Sequence, residues 1–150
     1  MKKIIISSIF FIGLGFFSGE LIFGSKKDIF KNFNSKDTYY FLEEGVYIDK
    51  KDLNKNYVSK RLVEKDNKKY YVYVGITKDK EVIEKLKDIY NSRGISLSIK
   101  EKEVNSKEFF ENVSQFDFLI KETTEEDEIL TIEEVILSNY EEITKKTIKN

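Results

Sequence analysis

The sequence predicts an α+β fold. Its centre is a βαββαβ sandwich on a four-stranded antiparallel sheet, with a transmembrane helix before it and two helices after it. Three observations carry this reading. Lys69 to Ile76 is dense in β-branched and aromatic residues, runs through Gly75, and is followed at once by a helical pattern. Tyr39 to Tyr47 is a fainter echo of it. Thirty residues apart, Tyr40 falls on Tyr70, Gly45 on Gly75, Val46 on Ile76, Asp49 on Asp79, Lys50 on Lys80 and Leu53 on Ile83. Two strand–glycine–turn–helix units in tandem make a pseudo-symmetric sheet-and-helix domain. Beyond residue 105 the apolar residues recur at helical spacing.

Residues 1–24 read as the membrane anchor. Ile4 to Gly24 is apolar apart from Ser7, Ser8, Ser18 and Glu20. A helix of that length rises about 30 Å, the thickness of a bilayer core. The run exceeds a typical signal-peptide core and lacks a small-residue cleavage site, so it reads as retained; cleavage is the other reading. Lys2 and Lys3 favour a cytoplasmic N-terminus and a single pass, with the rest of the chain outside the cell membrane. Gly15 and Gly19 stand in a GxxxG spacing through which two such helices could form a homodimer.

Residues 25–37 are a polar linker, and residues 38–104 the predicted domain. Strand one is Thr38 to Ile48. Asp49 to Val58 is a short helix with Asp49 as N-cap. Arg61 to Glu64 is strand two, Asp66-Asn67 turns the chain, and Lys69 to Ile76 is strand three. Thr77 or Asp79 caps a helix with Val82, Ile83, Leu86, Ile89 and Tyr90 on one face, closed by Arg93-Gly94. Ile95 to Lys100 alternates and reads as strand four, with Ile95, Leu97 and Ile99 toward the helices. Both Gly45 and Gly75 are expected to need positive φ or close backbone approach. Residues 105–150 are a helical pair: Ser106 to Thr123 with Phe109, Phe110, Val113, Phe116 and Ile120, then Glu125 to Lys146 with Ile129, Ile132, Ile136, Tyr140 and Ile143.

Composition narrows the chemistry. The chain has no Cys, His, Pro or Trp. Disulfides, thiolate metal sites and a lipidated cysteine are excluded, and the commonest general base is missing. The net charge of −1 hides an asymmetry. Residues 25–105 hold nineteen Lys/Arg against fourteen Asp/Glu, and residues 106–150 hold five against twelve. No P-loop, nucleophile elbow or calcium loop occurs, so no catalytic residue, metal ligand or cofactor is assigned.

Alternation gives the sheet two faces. If Val72 and Val74 face the helices, Tyr71 and Tyr73 face away, joined by Phe41 from strand one and by Ser96 and Ser98 from strand four. Rings beside small hydroxyls suit a flat, partly apolar ligand such as a sugar or a base. The helical pair could instead cover this face, pack beside the domain, or dock on a second protein.

Tyr70-Tyr-Val-Tyr-Val-Gly-Ile, followed by Glu81-Val-Ile-Glu-Lys-Leu86, Arg93-Gly94 and an alternating strand, resembles the SPOR (sporulation-related repeat) domain, with Tyr40 to Leu53 as its first repeat. The resemblance covers about residues 38–104. It implies a ferredoxin-like sheet and a non-enzymatic, extracytoplasmic module of a Gram-positive bacterium. Such a module binds peptidoglycan glycan strands during cell division or sporulation. It also implies glycan contacts at Phe41, Tyr71, Tyr73, Ser96 and Ser98. The alternative is a membrane-tethered protein–protein interaction module whose sheet face the C-terminal helices cover. RNA recognition shares the topology, but Lys69 to Ile76 lacks the glycine/aromatic pattern it needs, so nucleic acid is not an expected partner.

Overall fold

The computed structural model describes residues 37–54 and 59–148. The predicted anchor, Gly15, Gly19 and nearly all of the linker lie outside the described residues. Among the described residues no helix is long and apolar enough to cross a membrane.

The fold is α+β. Strand β1 is Asp37–Tyr47, followed by a 3-10 turn at Lys50–Asn54. Then come β2 (Leu62–Asp66), β3 (Lys69–Thr77), α1 (Lys80–Ser92), β4 (Ser98–Val104), α2 (Lys107–Glu122) and α3 (Glu126–Ile148). The sheet order is β2-β3-β1-β4 and every neighbouring pair is antiparallel. β3 and β4 are therefore parallel to each other across β1, with α1 as the crossover.

Local chemistry sets the boundaries. Asn67 and Lys68 have φ of 46° and 66°, the double left-handed pair of a tight hairpin between β2 and β3. Asp79 caps α1 by accepting the Glu81 N–H at 2.8 Å. Gly94, at φ 75°, ends α1: the Ile95 N–H reaches back to the Tyr90 carbonyl and the Gly94 N–H to Asn91. Ser106 caps α2 by accepting the Phe109 N–H at 3.2 Å. The C-terminal carbonyls of α2 are held by α1, where Lys85 Nζ donates to Ile120, Lys121 and Thr123.

The tandem repeat is half realised. Asp49 accepts the Lys51 N–H as Asp79 accepts that of Glu81, and Leu53 is buried as Ile83 is. However, the first unit opens as a 3-10 turn over Lys50–Asn54, where the spacing predicts a helix from Asp49 to Val58. Residues 55–58 lie outside the described part. Neither Gly45 nor Gly75 has positive φ. Gly75 is crowded by side chains instead: a Cβ there would lie 2.9 Å from Leu86 Cδ1 and 3.3 Å from Glu133 Oε2, and those ends would have to shift.

β4 corrects a second expectation. It starts at Ser98, three residues after Ile95, and continues through Lys100-Glu101-Lys102-Glu103 to Val104. Pairing with Asp37 to Glu43 fixes this register, and burial does not, because β4 is an edge strand. Ile99 is accordingly 38% exposed, where a core position was expected.

Two faces carry two cores. Leu42 opposes Gly75, where Leu86 of α1 approaches, and Val72 and Val74 are buried. Phe41 points to the other face and meets Tyr140 of α3. The sheet is thus the middle of three layers.

Candidate functional site

The face expected to be open is filled. Phe41 packs edge-on against Tyr73 at 5.4 Å between centroids and against Tyr140 at 5.0 Å. Tyr39 and Tyr140 both meet Phe109 of α2. Phe41 is 0% and Tyr73 3% exposed, so neither ring can stack on a ligand. The physical reason is the apolar stripe of the helical pair, which finds these rings as its counterpart. Of the other residues assigned to glycan, Tyr71 is half-buried, and Ser96 is exposed in the segment before β4. Ser98 donates its hydroxyl to Glu43 Oε1 at 3.0 Å. The five residues are not brought together into one surface.

A groove of about 600 Å³ is open between β2 and the C-terminal half of α3. Tyr71, Val63, Glu64, Lys102, Tyr140 and Lys145 are among the residues that line it. Lys102 pairs with Glu64 across it and lies 4.1 Å from the Tyr73 ring centroid and 4.6 Å from that of Phe41. Burial raises the Tyr73 hydroxyl above its ordinary pKa against the pull of Lys102. Burial raises Tyr140 strongly, and the Glu64 carboxylate adds to this. Both phenols therefore stay neutral, Tyr73 accepting from Lys102 and Tyr140 donating to Glu64.

A second feature lies at the opposite end of β3. β2 pairs with β3 only as far as Leu62 opposite Tyr73, which leaves the next N–H groups on that edge without a strand. Two carboxylates take them. The Ile76 N–H donates to Glu133 Oε2 of α3 at 3.1 Å, and the Lys78 N–H to Asp117 Oδ2 of α2 at 3.0 Å. Thr77 Oγ1 lies 2.5 Å from Asp117 Oδ1. Asp117 and Glu133 are 4% and 1% exposed. Burial lifts Asp117 to about 7 against its two hydrogen bonds. Burial also lifts Glu133 well above the carboxylate range, and the nearby Asp117 adds to it. Raised acids can serve as proton donors in catalysis, but this pair lies beneath two helices, out of reach of a substrate. Its role is to replace a missing strand. Among the described residues no cluster of acids is placed to hold a metal ion.

Sequence reasoning passed over Lys102, Tyr140, Asp117 and Glu133 as site residues. The last two left a readable signal. Asp117 falls four residues after Val113 and three before Ile120, and Glu133 four after Ile129 and three before Ile136, so each carboxylate interrupts an apolar stripe. No family model, curated protein or solved structure matches this chain.

Proposed function

We propose that this chain is a membrane-tethered, non-enzymatic interaction module that binds an extended segment of another protein. The carrying observation is the occupied aromatic face: Phe41 lies against Tyr140 with Tyr73 buried beside it, so the rings expected to meet a flat ligand are core. What the domain then offers a partner is its two sheet edges, β2 and β4, and the groove beside β2. Edge strands present unpaired backbone groups and take up extended segments readily. The tether is the apolar run Ile4 to Gly24.

A glycan-strand reading keeps one support, Tyr71 on the wall of the groove beside the Glu64–Lys102 pair. One experiment separates the two. The purified full chain is panned against a displayed library of random peptides and, in parallel, incubated with isolated cell-wall sacculi. The module reading expects enrichment of peptides with β-forming alternation and no retention on sacculi. Retention on sacculi that Tyr71→Ala abolishes would replace it with the glycan reading.

A further inference from the structure

We infer that the outer edge of β4 is the docking strand, and that it selects an extended segment of alternating acidic and basic residues. This rests on the interaction-module reading and names the partner chemistry.

The argument starts from pairing. β4 pairs with β1 along its whole length, from Asp37 opposite Val104 to Glu43 opposite Ser98. Among the described residues no strand lies on its other side. Ser98 to Glu101 and Glu103 are exposed. Seven residues is a long edge to leave open. The β2 edge is the poorer candidate. It has five residues, and α3 closes its approach where the Lys60 N–H donates to Glu134 and Lys60 Nζ to Ser138.

The charges on β4 are sorted by face. Residues opposite one another in an antiparallel pair share a face. Lys100 opposes Phe41 and Lys102 opposes Tyr39, so both lysines lie on the aromatic face. Ile99, Glu101 and Glu103 oppose Leu42, Tyr40 and Thr38 on the other. One face of the edge is basic and the other acidic.

This sorting disfavours a second copy of the chain as a symmetric partner, because no antiparallel register sets opposite charges across the seam. A two-fold axis that pairs two β4 edges antiparallel keeps each face on its own side. Lysines could then meet only Ser98, Val104 or lysines, and glutamates only Ile99 or glutamates. A register centred on Glu101 sets Glu101 against itself and Lys100 against Lys102 of the other copy. Like charges directly opposite are destabilising.

The same rule states what fits. Facing β4 from Val104 back to Ile99, the partner needs an apolar residue, then Lys, Glu, Lys, Glu, then an apolar residue. Its acids meet Lys100, and Lys102 beside its pair with Glu64, on one face while its lysines meet Glu101 and Glu103 on the other. Strand addition supplies the backbone hydrogen bonds, and the charge order sets register and face.

The test uses the full chain and two labelled synthetic peptides. One carries apolar-Lys-Glu-Lys-Glu-apolar between threonines. The other has the same composition with the charges in blocks, Lys-Lys-Glu-Glu. The alternating peptide should bind at low salt at least about five-fold tighter than the block peptide, a ratio that shrinks as salt is raised. It should also protect alternate amides of Ser98–Val104 from hydrogen exchange. Lys100→Glu should weaken the alternating peptide about five-fold. A peptide with Lys in place of the Glu that faces residue 100 should recover the loss. Equal binding of the two peptides, or protection confined to β2 and the groove, overturns the β4 assignment and leaves the module reading standing. Failure of every library peptide overturns the module reading itself.

Discussion

Asp117→Asn tests how the helical pair is held to the sheet. Asp117 is 4% exposed, accepts the Lys78 N–H at 3.0 Å and sits 2.5 Å from the Thr77 hydroxyl. Burial lifts its pKa from the ordinary 3.8 to about 7. Between those two values the folded state holds a proton that the unfolded chain has released. Stability therefore falls as pH rises: the contribution of this group is complete below about pH 3.8 and gone above about pH 7. Within that window the slope approaches about 1.4 kcal/mol per pH unit, so the wild type should lose about 2.5 kcal/mol between pH 5 and pH 8. Asparagine copies the protonated acid. Its carbonyl accepts the Lys78 N–H, its amide donates to Thr77 Oγ1, and the threonine proton turns to the Asp79 carbonyl at 3.4 Å. The variant should match wild type within about 1 kcal/mol at pH 5 and exceed it by about 2 kcal/mol at pH 8. Urea unfolding of the full chain, followed by tyrosine fluorescence at several pH values, measures both curves. Glu133 titrates in the same sense and stays in both proteins, so the difference between the curves is what matters. Parallel curves, or a variant that is weaker at every pH, would refute the reasoning.

Two further substitutions examine the packing. Gly75→Val puts a Cβ 2.9 Å from Leu86 Cδ1 and 3.3 Å from Glu133 Oε2 with two further methyls to place, and should cost about 1–3 kcal/mol in urea unfolding. An unchanged midpoint would mean that the contact relaxes without strain. Ser106→Ala removes the cap on the Phe109 N–H and should cost about 1 kcal/mol, with exchange at the first turn of α2 rising first. If that turn keeps wild-type protection, the cap contributes nothing there.

Much of the fold was legible because periodicity and capping are local. Asp79, Gly94 and Ser106 end or begin elements as expected, and the stripes of α1 and α2 are buried residue for residue. β4 was misplaced because its exposed half, Lys100 to Glu103, has no apolar period to read; its register comes from β1, a long-range partner. Lys50 to Asn54 takes 3-10 rather than α geometry, and Leu53 is its single apolar side chain, little to hold a helix against the sheet. The sheet faces were assigned correctly for Phe41 and Tyr73, but alternation says which way a ring points and not what covers it.

What covers those rings was written elsewhere in the chain. A carboxylate inside an apolar stripe must find donors when the stripe is buried. The sheet has such donors where β2 stops at Leu62 and the N–H groups of Ile76 and Lys78 are left over. Asp117 and Glu133 lie on different helices, yet they meet N–H groups only two residues apart, on Ile76 at the end of β3 and on Lys78 just after it. That spacing admits one placement of α2 and α3 together. A slide of either helix by a turn would bury an acid without a partner, at several kcal/mol. The apolar stripes supply the attraction between the helical pair and the aromatic face, and the two acids fix its register. The same placement brings Tyr140 onto Phe41. The acids that look like catalytic candidates by their titration are therefore what closes the aromatic face, and they leave the strand edges for a partner.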